Sequence, residues 1–253
     1  MAMHLAGIIL SDLNVMPPAG GAAMEQITLR WIHIVAAIAW VGTIYFNAMV
    51  VVPGLMKLDP ASRGKFALTL LPRSAALARY AAAITWLVGF RYFMIYAQSD
   101  AANAGNPSLA WRWIGIWFAC WFVAFAIFMG AIQSGKLSGL VLNLLALILV
   151  AGAAWANLAW VAGPATSNRT LCISVGGGIG TVMFLAAWGL VWRCQKKLIR
   201  WTRASVEQGT PMPAEAAKVQ QMLGQITAIG CWLTIPLLFF MEASSHFPLF
   251  SGR

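Results

Sequence analysis

Residues 137–160 read LSGLVLNLLALILVAGAAWANLAW, a stretch that contains no Asp, Glu, Lys or Arg. An α-helix rises 1.5 Å per residue, so about 20 apolar residues cross the hydrocarbon core of a bilayer. Inside lipid, each backbone amide must be hydrogen-bonded within the protein, which a single apolar segment achieves only as a helix. The stretch therefore predicts a transmembrane helix.

Five other stretches have the same character, at 28–52, 79–97, 111–133, 171–192 and 221–243. The 253-residue chain is 60% hydrophobic and only 9% charged, whereas soluble domains carry about 25% charged residues. No stretch alternates polar and apolar residues as the strands of a membrane barrel do. We predict an all-α, polytopic bundle with about six spans in a lipid bilayer.

The positive charges are sorted among the connections, which predicts an orientation. Most of the 17 Lys and Arg residues lie in 53–79, at Lys136 and in 193–218. Short cation-rich connections stay in the cytoplasm, so both termini are predicted on the periplasmic side of a bacterial inner membrane. This sorting accounts for the net charge of +10 and gives no indication of nucleic-acid binding.

Two parts of the chain are distinguished by composition. Residues 1–26 are predicted to form an N-terminal arm on the outer face, because the apolar run 5–10 is too short to span and Pro17 and Pro18 follow it. Residues 27–250 form a single transmembrane domain, with a basic cytoplasmic loop at 193–218.

Histidines provide the main candidate ligands. The chain has three, His4, His33 and His246, all expected on the outer side. His33, Trp40 and Asn47 recur every seven residues and share a helix face, and a polar stripe on a membrane helix faces the bundle. His33 and His246 are therefore predicted to converge on one ligand.

Two charged residues extend this predicted site. Glu242 precedes His246 by four residues, so the two share a face if the last helix continues that far. Arg91 lies inside a span, where an arginine faces a partner or a cavity rather than lipid. Its partner is expected to be Glu242, a haem propionate or an anionic substrate, unless it forms a purely structural ion pair.

The donors favour two kinds of cofactor. A pair of imidazoles among apolar helices suits a b-type haem, with Arg91 on its propionates. Imidazoles with the Glu242 carboxylate suit copper or zinc instead. Cys120, Cys172, Cys194 and Cys231 form no CxxC, so covalent c-type haem and paired-cysteine zinc sites are excluded, and all four are expected to pack as small apolar side chains.

Several motifs together resemble the urate oxidase N-terminal domain family, the membrane part of a bacterial membrane-bound urate hydroxylase. They are RWIH at 30–33, AWVG at 39–42, TWLVGF at 85–90, the glycine-rich 176–180, LTIPLLFFM at 233–241 and SHFP at 245–248. The resemblance implies this helical scaffold in a redox setting. Family members often carry a cytochrome c domain, and residues 1–253 contain no CxxCH, so the expected electron partner is a separate cytochrome c.

Three functions follow as hypotheses. The first is a redox protein holding haem b or a metal near the outer face. The second is a non-catalytic accessory subunit that assembles with other membrane subunits. The third, a transporter or channel, rests on Arg91, Asn47, Asn143 and Asn157 within spans.

Overall fold

A computed structural model describes residues 20–250, and every regular element in that range is helical. Six long helices follow one another: α1 (Gly21–Met56), α2 (Pro60–Asn103), α3 (Ser108–Ser134), α4 (Gly139–Val161), α5 (Asn168–Gln208) and α6 (Ala216–His246). Five of the six predicted spans lie within one of these helices, and the sixth, 137–160, begins two residues before α4, which confirms the all-α bundle. Residues 1–19 of the predicted arm, with His4, lie outside the described range.

Five of the six helices, all except α2, are long and apolar enough to cross a membrane. Helix α2 carries Arg79 and Arg91, which lower its mean hydropathy. It nevertheless packs antiparallel along α1: Glu25 contacts Arg91 at one end of the interface, and His33 contacts Thr85 further along. The facing part of α2 therefore lies alongside a helix that is long and apolar enough to cross a membrane.

Short polar sequences begin and end the helices. At the start of α2, the Asp59 carboxylate accepts hydrogen bonds from the backbone amides of Ala61 and Ser62. Pro60, the first residue of this helix, has no N–H group and so leaves no backbone donor unpaired there. Ser138 and Ser167 cap α4 and α5 in the same way. Gly135 and Gly209 end α3 and α5 with φ near +65°, a conformation that favours glycine.

Helix α5 forms the centre of the bundle and packs against α2, α3, α4 and α6. Its glycine-rich stretch makes this possible: a Cβ on Gly176 would lie 3.2 Å from the Leu237 carbonyl oxygen of α6. A Cβ on Gly178 would lie 1.8 Å from Cε2 of Trp121 on α3, which is fully buried. The small residues of this stretch therefore let α3 and α6 approach α5 closely.

Two segments expected to be loops are mostly helical. The connection predicted at 53–79 is helical from Pro60 onward, and the basic segment 193–218 is helical up to Gln208 and again from Ala216. These extensions pack on each other outside the apolar spans, so closely that a Cβ on Gly64 would lie 2.6 Å from Val206. Hydropathy could not reveal them, because a helix paired with another helix in water needs only one narrow apolar face.

The alternating directions of the helices give the bundle two distinct ends. The end that carries the connections 57–59, 135–138 and 209–215 is called the basic end below. The other, which carries 104–107, 162–167 and the C-terminus of α6, is called the His246 end.

Candidate functional site

His33 lies on α1, half-buried against α2. Its Nδ1–H donates to the carbonyl oxygen of Thr85, at 2.9 Å. The ring rests on Gly89, where a Cβ would come within 2.6 Å of its Cε1 and 2.7 Å of its Nδ1. Since Nδ1 carries the proton, the lone pair of a neutral imidazole lies on Nε2, which has no hydrogen-bond partner among residues 20–250. A backbone carbonyl on the other nitrogen is the usual support of a metal-ligating histidine.

The predicted polar stripe of α1 faces the bundle. Trp40 and Thr43 are 4% and 8% exposed, and the Thr43 hydroxyl donates to the carbonyl of Ala39. Asn47 begins a π-helical turn, Asn47–Val51, and its Oδ1 is shielded from solvent without a hydrogen-bond partner. The heptad spacing of the sequence therefore identified the inward face correctly.

Stacked aromatic rings adjoin the His33 contact. Trp86, the residue after Thr85, stacks on Phe184 at 5.0 Å and on Phe90 at 5.5 Å between ring centroids. Phe90 in turn stacks on Trp117 of α3 at 5.9 Å. The Trp86 indole N–H donates to the Thr181 hydroxyl of α5 at 2.9 Å, so this polar atom is satisfied. These contacts hold the part of α2 next to Thr85 against α3 and α5.

Arg91 pairs with Glu25 of α1 instead of Glu242. Its Nε donates to Glu25 Oε1 at 2.8 Å, and Nη2 lies 2.7 Å from the same oxygen. Both side chains are more than two-fifths exposed. The expectation of Glu242 as counter-ion is thus corrected, since the register of α1 on α2 places Glu25 beside Arg91.

His246 ends α6 and pairs with Glu242, as the four-residue spacing predicted. Nδ1 lies 3.1 Å from the Glu242 carboxylate, and both side chains are more than half exposed. Asn168 of α5 fixes the backbone beyond it by donating to the carbonyl of Phe247 at 2.9 Å and accepting from the amide of Phe250 at 3.0 Å. The Nε2 of His246, like that of His33, has no hydrogen-bond partner in the described part of the chain.

The two histidines have separate polar partners. His33 bonds to Thr85 of α2, whereas His246 pairs with Glu242 of its own helix. Among residues 20–250 no hydrogen bond or ion pair joins the two side chains, and their sharing of a ligand stays a prediction.

A polar cluster at the His246 end was not predicted from the sequence. The Tyr96 hydroxyl donates to Gln26 Oε1 at 3.2 Å and accepts from Arg169 Nη1 at 3.0 Å, while the Tyr92 hydroxyl lies 3.2 Å away. The Arg169 guanidinium also lies 4.8 Å from the centroid of the Tyr96 ring. Two tyrosines four residues apart on a span with Arg91 are the signal that could have revealed this cluster.

The described residues contain no group of three or more His, Cys, Asp or Glu side chains placed to hold a metal ion. The four cysteines are free, with Cys172 and Cys194 buried. A cavity of about 410 Å³ between α4, α5 and Phe250 includes neither His33 nor His246 in its lining.

Comparisons with protein-family models, curated proteins and solved structures found no match to this chain.

Proposed function

We propose that the chain is a multi-pass inner-membrane protein with a redox role, in which His33 offers Nε2 as a ligand to a b-type haem or a copper ion. A separate cytochrome c is the proposed electron partner. The proposal is based on the motifs that resemble the urate oxidase N-terminal domain family. It takes from that resemblance the helical scaffold and the redox setting, and it does not assign urate oxidation to this chain.

The hydrogen bond from His33 to the Thr85 carbonyl is the observation that carries the proposal. It fixes the ring by its Nδ1–H and leaves the Nε2 lone pair without a hydrogen-bond partner among residues 20–250. Gly89 lets the Cε1–Nδ1 edge of the ring approach α2 closely, so the direction of Nε2 is set by backbone and not by a mobile side chain. A haem or copper ion bound there would supply one-electron transfer.

Arg91 and Glu242 have supporting roles in this proposal. Only Nε and Nη2 of Arg91 contact Glu25, which leaves Nη1 for a haem propionate. Glu242 holds the Nδ1 side of His246, a carboxylate–histidine arrangement of the kind that orients a metal-ligating imidazole. His246 with Glu242 is therefore proposed as a second, exposed metal-binding position, with copper as the alternative to haem.

The orientation is part of the proposal and is supported by charge. Arg and Lys side chains crowd the basic end, whereas the His246 end has few: Arg30, Arg91, Arg112 and Arg169 among residues 20–250. Since cation-rich ends remain cytoplasmic, the basic end faces the cytoplasm. His246, Glu242 and the Tyr96 cluster then lie toward the periplasm, as do both termini.

Elemental analysis of the protein purified from its native membrane tests the proposal. The wild type is expected to hold stoichiometric iron or copper, His33→Gln to lose it, and His246→Gln to keep the His33-bound part. Wild-type protein without either metal, or His33→Gln with undiminished metal, would refute the role of His33.

One observation favours the accessory-subunit alternative. Ala151, Gly152, Trp155 and Ala159 form an exposed face on α4, and small residues on a membrane helix allow a second helix to approach closely. We propose this face as the contact with another membrane subunit. Cysteine at Gly152 should then cross-link in native membranes to one partner of defined mass, whereas cysteine at Leu140, exposed on the same helix, should not. Equal cross-linking at both positions would contradict this reading.

A further inference from the structure

Arg79 lies where the apolar part of α2 begins, at the basic end. Its guanidinium carbon is 3.6 Å from the centroid of the Trp192 ring on α5, 4.9 Å from that of Tyr80 and 5.7 Å from that of Trp188. Such distances are those of cation–π contacts, which hold the side chain in one direction. Arg79 Nη1 is shielded from solvent and has no hydrogen-bond partner.

A second cation reaches the same ring. The Lys196 ammonium, one turn further along α5, lies 5.0 Å from the centroid of Trp192. Two like charges on one indole repel each other unless an anion lies between or beside them. Within residues 20–250, neither Arg79 nor Lys196 forms an ion pair.

The acidic side chains at this end are engaged elsewhere. Glu215 pairs with Lys197 at 3.6 Å, Glu207 pairs with Arg203 at 4.0 Å, and Asp59 caps α2. In the described part of the chain, no carboxylate at this end is therefore left to pair with Arg79 or Lys196, so an anion from another molecule can bind there.

The aromatic side chains beside Arg79 indicate what kind of molecule would carry this anion. Tyr80 is 58% exposed and Trp188 is 38% exposed, and both lie at the end of apolar spans, where tyrosine and tryptophan occupy the headgroup region. Arg79 thus contacts two aromatic side chains that suit the headgroup region. A ligand with a charged head and apolar tails fits this position, whereas a water-borne acidic peptide would have to displace lipid from Tyr80 and Trp188.

We propose that Arg79, Lys196 and Trp192 form a binding site for the phosphate of a net-anionic phospholipid. The guanidinium can bond two phosphate oxygens at once, and the ammonium adds a point charge. Trp192 orients both cations, and Tyr80 and Trp188 flank the lipid where headgroup and chains meet. The site joins α2 to α5, so a bound lipid would tie the two helices together at the basic end.

Native mass spectrometry with phosphatidylglycerol or phosphatidylcholine as the probe tests this site. We expect the wild type to retain phosphatidylglycerol in preference to phosphatidylcholine. Arg79→Gln and Lys196→Gln should each weaken the phosphatidylglycerol affinity about fivefold, the contribution of one basic residue near an anionic surface. Arg73→Gln, which removes an exposed cation of the same helix, is the matched control and should have a smaller effect.

Stabilisation by lipid, measured as a rise in melting temperature, is a second test that does not depend on Arg79→Gln folding well. Lys196 is exposed, so Lys196→Gln should fold, and phosphatidylglycerol should raise its melting temperature less than that of the wild type. Losses in Arg79→Gln and Lys196→Gln no greater than in Arg73→Gln would overturn the proposal. So would binding of an acidic peptide that these two substitutions abolish while phosphatidylglycerol binding is unchanged.

Discussion

His33 donates its Nδ1–H to the carbonyl oxygen of Thr85, at 2.9 Å, across the interface of α1 and α2. The ring can reach that carbonyl only because Gly89, one turn further along α2, has no side chain. Thr85 itself is 6% exposed, and its hydroxyl donates back to Ala81, so the acceptor is held rigidly. A single backbone contact thus sets both the tautomer and the direction of the histidine.

Gly89→Ala should displace this ring. The new Cβ would lie 2.6 Å from His33 Cε1, so the imidazole must leave the Thr85 carbonyl or the helices must separate. Overpacking of this kind costs about 1–3 kcal/mol. We expect a lower melting temperature in detergent and loss of any metal bound at His33.

Gly42→Ala is the control for that substitution. Gly42 lies on α1, and a Cβ there meets nothing within 4 Å. It should leave both melting temperature and metal content close to those of the wild type. If Gly89→Ala behaves like Gly42→Ala, the packing of His33 described above is wrong.

Gly178→Ala should be the most disruptive glycine substitution in α5. Its Cβ would overlap the Trp121 indole, which is fully buried and has no room to move. We expect a loss of about 3 kcal/mol or more, seen as a large fall in melting temperature or in folded yield. Gly177→Ala, whose nearest contact would be 3.8 Å, should be tolerated. Adding Trp121→Phe should partly rescue Gly178→Ala, and no rescue would show that the clash is not with this indole.

Tyr96→Phe should loosen the His246 end. The hydroxyl joins Gln26, Tyr92 and Arg169 from three helices, and Phe would leave these partners without it. The expected loss is about 1–2 kcal/mol, measured as a fall in melting temperature. Tyr80→Phe is the control, because the Tyr80 hydroxyl makes no hydrogen bond within residues 20–250. Equal effects of the two substitutions would argue against a structural role for the Tyr96 hydroxyl.

Asp59 should make the start of α2 sensitive to acid. Hydrogen bonds from the Ser62 side chain and backbone hold the pKa of this carboxyl below its usual value of 3.8. The cap is therefore complete above that value, and its contribution is lost as the pH falls through the lower, folded pKa. Amide hydrogen exchange of residues 60–66, corrected for intrinsic rates, should be slow at neutral pH and faster in acid.

Two variants separate charge from hydrogen bonding at this cap. Asp59→Ala should exchange fast at every pH, whereas Asp59→Asn, a neutral cap, should show little change with pH. Wild-type exchange in this segment that does not depend on pH, once corrected, would rule out the Asp59 carboxylate as its cap.

The sequence predicted a residue's position correctly where that position depends on the spacing within one helix. The heptad of His33, Trp40 and Asn47 indicated the inward face of α1, and the spacing of Glu242 and His246 indicated their contact. It could not place Arg91 on Glu25, because that pair depends on the register between two helices. Nor could hydropathy reveal the helical extensions of α2 and α5, which pack on each other through Gly64 and Val206.

Pulsed electron paramagnetic resonance of the oxidised protein is the most direct test of His33 as a ligand, because it detects both ferric haem and cupric copper through coupling to imidazole nitrogen. The account predicts a histidine nitrogen coupling in the wild type and in His246→Gln that is lost in His33→Gln. The absence of a metal-centred signal from wild-type protein of native membranes, or a coupling that persists in His33→Gln, would contradict it.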